Sequence, residues 1–160
     1  MRKVFAGLAI LLMLGVVVQF YFAATGAFST ASHDEAFQPH RTMGYVVFIL
    51  AVLLTVVAAL ARMPGRLIGM SGLVAGLVVL QVLIALLADA VGENGDVTTT
   101  AGQLVFGLHA VNGLVIAAVA GRIAGQARRM LRSPAPVALS GSAAQPSRAI
   151  DQAGLRGRPE

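Results

Sequence analysis

Four apolar runs constrain this chain more than any other feature: Val4 to about Ala24, Met43 to Ala61, Leu67 to Ala88 and Leu104 to Ala120. Each is close to the roughly 20 residues that a helix needs to cross the hydrocarbon core of a bilayer, the last run being the shortest. A membrane-spanning barrel would need short strands of alternating polarity instead, so helices are the spanning structure that fits. Composition points the same way, because 57% of the 160 residues are hydrophobic and only 12% are charged, well outside the range of soluble domains. The pattern predicts an all-α integral membrane protein, an up-down four-helix bundle with helices at about residues 4–26, 42–61, 67–88 and 103–124. These helices make up one domain, residues 1–132.

Basic residues in short flanking segments set membrane topology. Arg2 and Lys3 precede the first run, Arg62 and Arg66 lie in the turn RMPGR, and Arg122, Arg128, Arg129 and Arg132 follow the fourth. The other side carries Arg41 with the acids Asp34, Glu35, Asp89, Glu93 and Asp96. Both termini are therefore expected in the cytoplasm, with the chain multi-pass in the cell membrane. The net charge of +5 then describes anchoring beside anionic lipid and not a nucleic-acid surface. The first apolar stretch exceeds the core of a secretory signal and no clean A-x-A site closes it, so the first helix is expected to be retained. Residues 133–160, rich in Pro, Ala, Ser, Gly and Arg, read as a disordered cytoplasmic tail. With no cysteine in the chain, disulfides, thiolate metal sites and covalent haem attachment are excluded.

Two short stretches interrupt the hydrocarbon in related ways. HRTMGY (40–45) and HAVNGL (109–114) each place a histidine four residues before a glycine, and VVVQ (16–19) is echoed by VVLQ (78–81). Helices one and two, and helices three and four, thus read as two parallel-repeat helical hairpins related by an axis along the membrane normal. Gly44 and Gly113 each lie one turn inward from their histidine and on its face. Such a face offers a ligating side chain and a bare patch of backbone against which something flat could lie. Gly15, Gln19, Ala23 and Gly26 share a face of the first helix, and Gly65, Gly69, Gly72 and Gly76 form a small-residue stripe for close packing on the third.

Small residues at this spacing are also what any membrane bundle uses to bring helices together, and His40 could be a water-exposed neighbour of Arg41. His109 sits about 8 Å inside the expected boundary, where ionisable groups usually face the bundle interior and serve a function. Read as a pair, His40 and His109 predict axial ligation of a haem b, with two neutral imidazoles meeting iron from opposite sides. Arg41 could then meet a propionate, its alternative partners being the loop acids. Gln19 and Gln81 are candidates for hydrogen bonds that orient the ligands, or for ordinary helix-to-helix bonds. A mononuclear zinc site would need further protein ligands, and only His33 is otherwise to hand. Beyond a redox haem no catalytic constellation is present, so an enzyme is not expected. A transporter would call for a charged relay that the interior lacks.

The stretches HRTMGY and GLHAVNGL resemble the histidine-bearing even helices of one half of heme A synthase, which has two four-helix modules, each with a histidine pair. By that resemblance His40 and His109 would be the axial ligands and Arg41 the arginine that follows. The chain departs from the pattern in having one module, and Phe37 stands where a glutamate would precede the first histidine. The chain also resembles, over about Val4 to Arg132, a family of small actinobacterial four-helix membrane proteins of unknown function, which implies a fold and no activity. Two functional expectations follow. One is a bis-histidine haem module for electron transfer or for sensing haem or redox state, working with a membrane redox partner. The other is a non-haem structural or accessory subunit that packs on itself, as a homo-oligomer, or on a larger membrane complex.

Overall fold

The computed structural model describes residues 1–94 and 97–132, without the side chains of 93, 94, 97 and 98; the expected tail, 133–160, lies outside the described residues. The fold is helical: α1 (Arg2–Ala27), a single turn α2 (His33–Ala36), α3 (Gln38–Leu60), α4 (Gly65–Gly92) and α5 (Thr100–Arg132). A two-residue antiparallel ladder, β1 (Glu93–Asn94) with β2 (Val97–Thr98), lies in the loop before α5. The helices α1, α3, α4 and α5 are long and apolar enough to cross a membrane.

Each long helix begins before its expected start, and all but α3 also end beyond their expected bound. α3 begins at Gln38, four residues early, with Pro39 in its first turn. Proline is suited to that position because the amide it lacks would have no intrahelical acceptor, so His40 belongs to the helix and not to the loop. The turn α2 is capped by Ser32, whose Oγ accepts from the Glu35 amide at 3.5 Å. Gly26 makes room for the chain's return: a Cβ there would stand 2.9 Å from the Ala36 carbonyl oxygen and 3.0 Å from the Phe37 ring.

The four long helices form a closed ring in which α1 packs on α3, α3 on α4, α4 on α5 and α5 on α1. Their inward stripes follow the helical period: Phe5, Ala9, Leu12 and Val16; Val47, Ala51, Leu54 and Ala58; Leu67, Ser71, Val74 and Val78; Ile116, Ala120, Ile123 and Ala127. Ser71, the one buried hydroxyl of this seam among the described residues, donates to the Leu67 carbonyl at 2.9 Å.

The glycine stripe of α4 makes little contact among the described residues. Of these, none comes within 4 Å of a Cβ built at Gly65, Gly69 or Gly76, and one at Gly72 would meet the Thr55 methyl at 3.8 Å. The reason is phase: the buried stripe starts two residues later, at Leu67, and two residues turn a helix by about 200°. The close-packing surface expected there is therefore directed away from the ring.

Candidate functional site

At one end of the ring the apolar seam turns polar. The next inward position after Val16 on α1 is Gln19, and after Val78 on α4 it is Gln81. On α3 and α5 the corresponding turns carry His40 with Gly44 and His109 with Asn112. Glutamine comes from one pair of opposite helices and histidine from the other, so four helices contribute to a single layer.

Within this layer the same reciprocal clasp occurs twice. Gln19 donates its amide Nε2 to the His40 carbonyl oxygen at 3.0 Å, and His40 Nδ1 lies 3.2 Å from the Gln19 carbonyl oxygen. Gln81 donates to the His109 carbonyl at 2.7 Å, and His109 Nδ1 lies 3.2 Å from the Gln81 carbonyl. A carbonyl oxygen can only accept, so Nδ1 carries the hydrogen in both rings and each neutral imidazole presents a lone pair at Nε2. Metal-ligating histidines are fixed in the same way, through a hydrogen bond from the ring nitrogen that does not ligate.

The two rings meet across the layer with centroids 6.0 Å apart and planes inclined by 47°. Two imidazoles sharing one metal hold their ligating nitrogens about 4 Å apart and turned toward each other, whereas here His40 Nε2 lies 3.3 Å from the Gln19 amide nitrogen. Among the described residues no three His, Cys, Asp or Glu side chains gather to hold a metal ion. His33 is turned to Phe37, at 4.7 Å between ring centres. Among the described residues the layer thus brings together two imidazole donors and no third His, Cys, Asp or Glu ligand.

The remaining predicted residues take other places. Gly44 and Gly113 are closed over by the layer itself: a Cβ at Gly44 would meet the Gln19 amide nitrogen at 3.4 Å, and one at Gly113 would meet the Phe20 ring at 3.5 Å and the Gln81 amide at 3.7 Å. Their missing side chains make room for the glutamines. Arg41 pairs with Asp34 on the exposed rim, with Nη1 3.4 Å from Oδ1 and Nη2 donating to the Asp34 carbonyl at 2.5 Å. An apolar recess of about 290 Å³ opens beside the layer between α1 and α3, lined by Phe22, Gln38, Pro39, Thr42, Met43 and Val46.

Three participants went unpredicted. Asn112 donates to the Leu77 carbonyl at 2.9 Å and to Gln81 Oε1. Phe106 stacks on His109 with ring centres 5.2 Å apart and planes 5° from parallel, and Phe37 meets His40 edge-on at 6.2 Å. The signal for the aromatics lay in the sequence as a longer repeat: FQPHRTMG (37–44) and FGLHAVNG (106–113) both read F-x-x-H-x-x-x-G. A phenylalanine one turn before a histidine lies on the same helical face.

Comparison with known families places part of this chain beside an uncharacterised domain. A family of unknown function, DUF6220, matches residues 19–89. That span includes Gln19, His40 and Gln81 and ends before α5, so it is narrower than the expected Val4 to Arg132 and leaves His109 outside. No curated protein and no solved structure matches the chain.

Proposed function

We propose that the chain is an integral membrane protein of up-down four-helix topology, built from two parallel hairpin repeats, that binds haem b between His40 and His109. One observation carries the haem reading: two neutral imidazoles on opposite helices face each other at 6.0 Å, and each has its Nδ1 hydrogen committed to a glutamine carbonyl. Haem held there would supply one-electron redox chemistry near the outer face of the cell membrane, for transfer to a membrane redox partner or for sensing. The protein's own contribution is orientation. Gln19 and Gln81 fix the tautomers, Phe37 and Phe106 limit ring rotation, and the apolar seam below the layer excludes water. Arg41 is the cation nearest that boundary, and a propionate would have to compete with Asp34 for it. The membrane setting is supported by the large apolar side chains that remain exposed around the ring, among them Leu14, Leu53, Leu73, Leu86, Leu108 and Leu114; soluble monomers rarely leave so much contiguous apolar surface.

A second reading keeps the same layer as a polar lock in a non-haem accessory subunit. It is favoured by the closure of Gly44 and Gly113 over amides and by the Asn112–Gln81 bond, since side-chain hydrogen bonds commonly hold membrane helices together. Visible spectra of the purified protein, expressed with ample haem and recorded oxidised and dithionite-reduced, separate the two. The haem reading expects a Soret band with resolved reduced α and β bands, and altered spectra in both His40→Ala and His109→Ala. A folded, monodisperse and colourless protein would leave the polar lock.

A further inference from the structure

Two parts of the ring lack partners within the chain. One is a single atom, Gln19 Oε1, buried in the polar layer and without a hydrogen-bond partner among the described residues. The other lies at the opposite end and is a matter of charge. Residues 1–33, 36–88 and 97–132 contain no aspartate or glutamate, so the start of α1, the α3–α4 turn and the end of α5 bring arginines together with no acid to meet them. Among the described residues the ion pair is Arg41 with Asp34, at the far end of the ring.

These three segments enclose a cleft of about 220 Å³, lined by Arg2, Ala61, Arg62, Met63, Pro64 and Met130. Arg2 and Arg62 are exposed and Met63 is buried, so the lining is charged where it meets solvent and apolar beneath. Two guanidiniums lining one cleft repel each other unless an anion joins them. A phosphodiester suits that place, because its oxygens accept paired hydrogen bonds from guanidinium forks. Arg62 keeps its position at a backbone cost: its φ of 49° lies in the left-handed region, where a residue with a Cβ is strained and glycine is at ease. Strain of this kind at a cleft points to use of the side chain.

Size and surroundings select among anions. The cleft is smaller than the roughly 300–1,000 Å³ sites that enclose whole drug-sized ligands, so it takes a headgroup and leaves any chains outside. Apolar surface for such chains adjoins the lining, since Leu60 and Leu131, next to Ala61 and Met130 in the sequence, are exposed. Residues 133–160 are not a complementary occupant, because they carry Arg148, Arg156 and Arg158 against Asp151 and Glu160.

We propose that this cleft binds the phosphodiester headgroup of an anionic glycerophospholipid, with Arg2 and Arg62 as its donors and the acyl chains lying along the outside of the helices. The inference rests on the membrane reading above and is independent of haem. An arginine-rich end is expected on the cytoplasmic side, where anionic lipid supplies the counter-charge.

The test uses the full-length protein in a neutral detergent, with phosphatidylglycerol as probe and thermal unfolding and native mass spectrometry as readouts. Phosphatidylglycerol is expected to raise the unfolding temperature saturably and to leave one bound lipid per chain, and phosphatidylcholine to do neither. Arg2→Gln and Arg62→Gln should each weaken phosphatidylglycerol binding about tenfold, the factor that corresponds to one charge-assisted hydrogen bond, whereas Arg122→Gln, outside the cleft, should not. Arg62→Gly separates side chain from backbone: without lipid it is expected to unfold at a higher temperature than the wild type, and to lose most of the lipid's effect. Equal responses to the two lipids, equal weakening by Arg122→Gln, a full lipid effect in Arg62→Gly, or the same stabilisation by inorganic phosphate would overturn the proposal, the last by making this a site for free anions. A chain that alkaline carbonate releases from membranes would remove the membrane reading as well, whereas one that resists extraction and ignores phosphatidylglycerol would remove the lipid site alone.

Discussion

Asn112 is the residue on which the polar layer turns. It is almost wholly buried, and its amide bridges the Leu77 carbonyl and Gln81 Oε1. Replacing it with leucine keeps the branching at Cγ but leaves both acceptors without this donor. Asn112→Leu should therefore lower thermal stability in detergent by about 1 kcal/mol, the usual scale for such a loss inside membrane helices. The mirror substitution runs the other way. Met43→Asn places an amide where the repeat has one and offers Gln19 Oε1 the donor it lacks, so melting temperature should rise; a fall would mean that position 43 does not correspond to 112 in space. Much at this scale was legible in the chain, because Gln19, His40, Gln81 and His109 stand out from the hydrocarbon around them. Their pairing was not. The clasps join residues 21 and 28 positions apart, and only the packed ring decides which carbonyl each Nδ1 reaches. Asn112 was hidden for a related reason, since an asparagine in an apolar helix shows polarity without showing its partner.

Elements end where backbone geometry allows, and the turn between α3 and α4 is an instructive case. The Met63 amide donates to the Ala58 carbonyl at 2.9 Å and the Arg62 amide to the Ala59 carbonyl at 3.0 Å, the paired bonds of a Schellman cap. Such a cap needs a left-handed residue. Here it is Arg62, at φ 49°, not a glycine. Arg62→Gly should thus raise stability by about 1 kcal/mol, through relief of left-handed strain, as read by thermal unfolding in detergent. The crossing of α4 and α5 predicts the opposite sign. A Cβ on Gly102 would run into the backbone of Gly92 and stand 3.4 Å from the Ala88 carbonyl. Gly102→Ala should cost about 1–3 kcal/mol, the range of overpacking, while Gly69→Ala, with open space around it, should be neutral or slightly stabilising. Equal behaviour of the two alanine variants would refute this account of the crossing. The existence of the four long helices was plain from hydropathy alone. Their starts and faces were less so: Pro39 looks like a boundary but opens α3, and the glycine run of α4 looks like an interface but turns outward. Hydropathy reports that a segment is apolar all round, and when lipid can cover every face it cannot say which one the neighbouring helix takes.

For the molecule as a whole, the distribution of charge decides how the ring should sit in a bilayer. A cleft of about 220 Å³ lined by Arg2, Ala61, Arg62, Met63, Pro64 and Met130 brings together the start of α1, the α3–α4 turn and the end of α5. Eight of the arginine and lysine residues named above as flanking the helices therefore gather toward one end, while Arg41 at the other is paired with Asp34. Because basic residues resist translocation, a ring that spans a bilayer is expected to keep its arginine-rich end in the cytoplasm and its glutamine–histidine layer in the outer half of the membrane. The chain has no cysteine, so single substitutions can report this directly. In intact bacterial cells a membrane-impermeant maleimide should label Ser29→Cys, in the connection before α2, and should fail to label Gly65→Cys, at the first residue of α4, until the membrane is permeabilised. The reverse pattern would place the histidine layer next to the cytoplasm and move any redox partner to that side. Labelling of both without permeabilisation would mean that the helices do not span, and the exposed leucines would then need protein rather than lipid to cover them.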